Sequence, residues 1–226
     1  MHVNTAISSL SLAEGSTHAH TGAWVASVLR AKIAEGQLLP GAKLSEQALA
    51  EAMGVSRNTL REAFAVLDHE LIITRIPNRG VFVASPGIEG VKEIYAVRRM
   101  LEPAAVLWGP QLNVPALAAV VRDARAALAN GDIEAMADAN QCFHEELVRA
   151  AGSTHLEELM TKVLAQMRLV FHAMSDAPDF HSHYVQLNAG LVELLLAGRR
   201  EEASETLRGY LDTAEAELLS HLATDD

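Results

Sequence analysis

The sequence predicts a mainly α protein: a winged helix-turn-helix of three helices plus a β-hairpin, followed by an all-α helical bundle. Three observations carry this. Two short amphipathic patterns flank Gly54, and Ser56 opens the second, the spacing of a helix-turn-helix. A β-prone run, the turn Pro77-Asn78-Arg79-Gly80 and another β-prone run follow, as in a wing. Beyond Ser85-Pro86-Gly87 only helical periodicity remains.

Each element has its own signal. Trp24, Val28 and Ile33 space a first helix over Thr21 to Glu35, closed by Gly36. Leu38 to Leu44 reads as a turn with short extended arms. Ser45 caps a short helix facing inward through Leu49, Ala50 and Met53. Ser56 caps the next, with Leu60, Ala63, Phe64 and Leu67 at i, i+3, i+4 and i+7. Leu71 to Ile76 and Val81 to Val83 form the hairpin arms. Six amphipathic patterns then follow, the first striped by Ile94, Val97, Leu101 and Ala104, with Asn113 and Asp132 as later caps. Met136, Phe143 and Leu147 point inward from the third. Leu156, Leu159, Val163 and Met167 mark the fourth. Cys142 and Trp108 are expected in the core.

Composition limits the function classes. Of the 226 residues 50% are hydrophobic and 21% charged, enough for a buried core and unlike a disordered chain. The strongest apolar stretch, Leu191 to Ala197, is short and holds Glu193, so no membrane partner is expected. The single cysteine excludes an internal disulfide framework. Met1 to His20 lacks a basic and long apolar leader and reads as a mobile tail, so a cytoplasmic location is expected. Residues 1–84 hold seven Lys/Arg and seven Asp/Glu, leaving the whole net charge of −11 on residues 85–226. That asymmetry suggests two units with different partners: a tail over 1–20, a winged domain over 21–84, a linker over 85–89 and a helical domain over 90–222.

The candidate partner of the first unit is double-stranded DNA. With Leu60, Phe64 and Leu67 inward, Arg57, Asn58 and Arg61 project from the opposite face near the helix N-terminus, the end that enters a major groove. A guanidinium can bond guanine O6 and N7 together. Ser56, Asn58 and Thr59 can meet phosphate or a base edge. Arg79, between Asn78 and Gly80, can reach phosphate or the minor groove. Ser45 and Gln47 open the preceding helix, where backbone N–H groups favour phosphate. Burial of both arginines, or acidic neighbours clamping both, would contradict a DNA-reading role.

Leu39-Pro40-Gly41, Leu44-Ser45-Glu46, Gly54-Val55-Ser56-Arg57, Leu60-Arg61-Glu62-Ala63 and Pro77-Asn78-Arg79-Gly80-Val81-Phe82-Val83 resemble the winged-helix domain of GntR-family bacterial transcription regulators. The family usually has Gly where this chain has Leu71, so a strained or altered turn is expected there. Val97-Arg98-Arg99, Leu101-Glu102-Pro103 and Phe143-His144-Glu145-Glu146-Leu147 more loosely resemble the FCD effector domain of the FadR-like branch. The resemblance implies a homodimer that reads a short inverted repeat as a repressor, controlled by a small-molecule effector, often a carboxylate. It also implies, for many members, a divalent metal held by one Asp and three His.

Here the corresponding positions are Asn140, His144, Asn188 and Tyr210. Two neutral amides and a phenol are poor ligands, so no metal and no cofactor are expected. These four and Arg98 are instead the candidate effector contacts, with Arg98 as anion anchor and Arg99 as its substitute. Arg98 and Glu102 are also i, i+4 partners, and a plain ion pair competes with the anchor role. Two rival readings remain at this level: a metal-dependent regulator using His172, His181 and His183, and an enzyme built on the helical domain.

Overall fold

The computed structural model describes residues 21–173 and 178–223; the expected tail lies outside the described residues. Backbone contacts divide the chain into two compact units after Ser85, with residues 168–172 grouped with the first.

The first unit runs α1 (Gly22–Ala34), β1 (Lys43–Leu44), α2 (Glu46–Ala52), α3 (Arg57–His69), β2 (Ile73–Ile76) and β3 (Gly80–Val83). The strands form one antiparallel sheet in the order β1-β3-β2, so the predicted wing gains a third short strand. Thr21, Ser45 and Ser56 cap the helices by accepting from Trp24 N–H, Ala48 N–H and Thr59 N–H. α1 buries Val25, Ala26, Leu29 and Ile33. The expected stripe through Trp24 and Val28 is therefore turned: the large apolar Trp24 misled, whereas 25, 29 and 33 repeat at i, i+4 and i+8. α3 buries Leu60, Ala63, Phe64 and Leu67, as its pattern predicts. Arg30 fixes α1 to the end of α3 by donating to Glu70 through Nε (2.9 Å) and Nη2 (2.7 Å).

The α3 terminus explains Leu71. Its φ is +58°, the left-handed region. Leu71 N–H donates to Asp68 C=O and Ile72 N–H to Leu67 C=O, the paired bonds of a Schellman closure. Leu71 thus adopts the conformation that glycine favours, at a cost of roughly 1–2 kcal/mol. Its side chain is 59% exposed and contributes little packing in return. Leu71→Gly is expected to stabilise the winged unit by about 0.5–1 kcal/mol, because glycine's greater unfolded entropy offsets part of the relief. A urea unfolding series on the full chain measures this.

The second unit is all-α: α4 (Ile88–Trp108), α5 (Val114–Asn130), α6 (Ile133–Arg149), α7 (Thr154–Ala173), α8 (Pro178–Leu196) and α9 (Arg200–Leu222). Asn113 and Asp132 cap α5 and α6 as predicted. Ala124, Ala127, Met136 and Val185 form one core cluster across α5, α6 and α8. α4 departs from expectation. It buries Val91, Ile94, Tyr95, Arg98, Glu102 and Val106, while Val97, Leu101 and Ala104 are only partly covered. The buried stripe runs through two charged residues, which no apolar-periodicity rule selects. Trp108, expected in the core, is 75% exposed at the end of that helix. Cys142 is also exposed, because Phe143, His144 and Leu147 take the inward face of α6. Leu159 on α7 is exposed too, and Met160, Val163, Leu164 and Met167 make the inner face.

Candidate nucleic-acid interface and candidate effector site

The exposed start of α3 presents Arg57, Asn58 and Arg61, with Thr59 partly covered. Ser56 Oγ accepts Thr59 N–H at 3.1 Å and lies 2.9 Å from Thr59 Oγ1, so both hydroxyls already serve the cap. Ser45 is likewise engaged as the cap of α2, and Gln47 is exposed. Arg57 has no ion-pair partner among the described residues. Arg61 differs from expectation: its Nε donates to Glu46 Oε2 at 3.0 Å. Fifteen residues separate the pair in sequence, so only the α2–α3 crossing brings them together. The pair is open to water, Arg61 being 58% exposed, and is worth about 0.2–1 kcal/mol. Glu46→Gln is therefore expected to raise duplex affinity, by no more than about fivefold. Fluorescence anisotropy at fixed salt checks it.

The wing tip is exposed from Pro77 to Gly80, with left-handed backbone at Asn78 (φ +61°) and Gly80 (φ +115°). Arg79 and Lys43 each lie 5.9 Å from the Phe82 ring centroid. Lys43 was absent from the sequence-derived set. It reaches the wing through β1–β3 pairing, Lys43 opposite Phe82, a contact two residues of extended chain do not announce.

In the second unit one buried polar relay joins four helices. On α4, Arg98 Nε donates to Glu102 Oε1 at 2.6 Å, with 2% and 0% of the two side chains exposed. Glu102 Oε2 lies 2.7 Å from His144 Nδ1 on α6. His144 Nε2 lies 2.9 Å from the Tyr210 hydroxyl on α9. That hydroxyl is 3.3 Å from Asn140 Oδ1, which accepts from Asn188 Nδ2 on α8 at 2.8 Å. All five candidate effector contacts thus meet, and Glu102, read from sequence only as a helix partner of Arg98, stands at the centre. Arg99 does not serve as a substitute anchor: its Nη1 donates to Glu215 at 2.6 Å and lies 3.4 Å from Asp212.

The protonation states follow from the surroundings. Burial alone would raise the Glu102 carboxyl, but Arg98 and His144 outweigh it and hold the value at about 2. Burial foremost lowers His144 despite the pull of Glu102, so its imidazole is neutral. Nδ1 then carries the proton donated to Glu102, and bare Nε2 accepts from Tyr210 O–H. Burial also pushes the Tyr210 phenol well above its usual value, with Arg98 opposing, so it keeps its proton. Among the described residues, Arg98 Nη2 and Asn188 Oδ1 are buried without a hydrogen-bond partner. The Arg98 guanidinium lies 4.9 Å from the Tyr95 ring centroid.

These residues do not fit a metal. The only imidazole in the relay commits both nitrogens, the Glu102 carboxylate commits its oxygens to Arg98 and His144, the phenol is neutral and the remaining donors are amides. Among the described residues no group of three His, Cys, Asp or Glu could hold an ion elsewhere, and His172, His181 and His183 form none.

A helix-turn-helix with a basic leading face, a wing and a separate helical unit built around a polar relay defines a two-part DNA-binding regulator. Residues 22–83 match the model for bacterial regulatory proteins of the gntR family, and residues 93–213 match the FCD domain; the chain belongs to the GntR family and carries an FCD domain. It is 33% identical over 168 residues to the Nta operon transcriptional regulator of Aminobacter aminovorans, covering 72% of this chain and 77% of that one. It is 29% identical over 143 residues to the gluconate operon transcriptional repressor of Bacillus subtilis, covering 62% and 58%. A solved structure described as a transcriptional regulator GntR, from Rhodococcus sp. RHA1, superposes with a TM-score of 0.83 at 37% identity, covering 88% and 97%. The matched families and relatives are transcription regulators rather than enzymes. No described helix is long and apolar enough to cross a membrane.

Proposed function

We propose that the protein is a cytoplasmic, ligand-controlled repressor that binds a short inverted repeat in double-stranded DNA as a homodimer. The observation that carries this is the capped N-terminus of α3, which holds Arg57 and Arg61 on one exposed face. Arg57, Asn58 and Arg61 read base edges. Ser45, Ser56 and Thr59 meet phosphate through hydroxyls that also serve the caps, and Gln47 through its side-chain amide. Asn78, Arg79, Gly80 and Lys43 hold the wing to the backbone. The acidic helical domain repels DNA and leaves the winged unit as the sole contact. The exposed Met100 and Trp108 flank an apolar cleft lined by Leu101, Val148 and Leu156, a knob beside a hole, which suits a two-fold contact between copies.

The effector is a small organic acid held by Arg98, Asn140, His144, Asn188 and Tyr210. Its carboxylate meets Arg98 Nη2, and a hydroxyl meets Asn188 Oδ1. These two atoms support the reading because each orphaned buried polar group costs about 1–3 kcal/mol, which a ligand bearing an acceptor and a donor recovers. Two relatives are named as gluconate and galactonate operon repressors, and both acids carry that pair of groups.

Selection of bound duplexes from a random pool tests the DNA half. An enriched inverted repeat is expected; recovery without any common sequence would overturn it. A thermal-shift panel of hydroxy acids that includes gluconate and galactonate tests the other half. The acid that raises the midpoint should also release the selected duplex; duplex binding indifferent to every stabilising acid would contradict effector control.

A further inference from the structure

We propose that hydrogen bonds replace the ion at the core of this FCD domain: the Tyr210 hydroxyl occupies the His144 Nε2 lone pair that a metal would need, and the Asn140–Asn188 amide pair closes the remaining positions. The four side chains that the family resemblance aligns with metal ligands form one continuous polar chain instead. Asn188 Nδ2, Asn140 Oδ1, Tyr210 Oη and His144 Nε2 follow one another at 2.8, 3.3 and 2.9 Å. Donor atoms around a tetrahedral ion with bonds of 2.0–2.2 Å stand roughly 3.4 Å apart. All three successive distances fall below that separation: Asn188 Nδ2 donates to Asn140 Oδ1, and the one Tyr210 proton goes to His144 Nε2.

The ion's structural task passes to the same bonds. They tie α6, α8 and α9 together, and the Glu102–His144 contact at 2.7 Å extends the tie to α4. Charge supports the exchange. Arg98 and Glu102 cancel, and the remaining four groups are neutral, so a divalent ion would bring an uncompensated double charge into a buried site. The inference concerns the effector side chains but does not depend on effector binding.

The test compares the full-length protein with Asn140→Asp/Asn188→His/Tyr210→His. Each is incubated with zinc, nickel or manganese chloride, dialysed, and read for metal content by elemental analysis and for thermal midpoint with and without EDTA. The wild type is expected to retain far less than one metal per chain and to show one midpoint throughout. The triple variant is expected to take up one ion per chain, with a midpoint that the ion raises and EDTA lowers. Asn140→Asp/Tyr210→His, which keeps Asn188, serves if the triple variant does not fold, and should show the same EDTA-reversible rise. A wild type that holds one ion per chain overturns the proposal. So do folded variants that take up none. Loss of hydroxy-acid binding without any change in these readouts would count only against the effector reading.

Discussion

Glu102→Ala is expected to destabilise the helical domain by about 3–5 kcal/mol, the usual cost of stripping one partner from a buried ion pair. Arg98 would remain 2% exposed with its Nε unpaired in addition to Nη2, and His144 would lose the acceptor that sets its tautomer. The same relay makes stability depend on acid. Glu102 titrates near 2 in the fold against an ordinary 4.5. Its contribution is therefore complete above about pH 4.5 and is lost as pH falls towards 2. His144 is lowered from its ordinary 6.5, chiefly by burial, so its contribution is complete above about pH 6.5 and declines below it. Both groups act in one direction: the urea midpoint should fall steadily on acidification from neutral pH. Glu102→Gln should flatten the part below about pH 4.5. A midpoint indifferent to pH in both proteins would mean that the relay carries no net stability.

Arg57→Ala and Arg61→Ala are expected each to remove about 1–3 kcal/mol of base discrimination. The two should not be equal. Arg57 is free in the described structure, whereas Arg61 must first leave Glu46. Part of what Arg61 gains from a base is therefore spent breaking a pair that it already holds, and Arg57→Ala should lose the more. The wing gives a useful contrast. Arg79→Ala removes a phosphate-type contact and should weaken all duplexes alike, with a shallower salt dependence.

The legible parts of this protein are those that local chemistry determines. Gly54, Ser56 and the Leu60–Phe64–Leu67 stripe define α3 within fourteen residues, and the structure reproduces it. The clustering of Arg98, Asn140, His144, Asn188 and Tyr210 was legible through the family resemblance rather than through periodicity. Glu102 escaped because its importance lies in a partner 42 residues away, His144. Trp108 and Cys142 were misplaced because hydrophobicity predicts burial on average, while helix phase decides it residue by residue. The Arg61–Glu46 pair needed the angle between two helices, which sequence spacing does not contain.

Competition binding with a complete set of single-base variants of the selected operator, run for wild type and Arg57→Ala, decides whether α3 reads base edges. Arg57→Ala is expected to lose preference at one symmetry-related base pair in each half-site and to keep it elsewhere. An unchanged preference profile at unchanged affinity would show that α3 does not read the DNA.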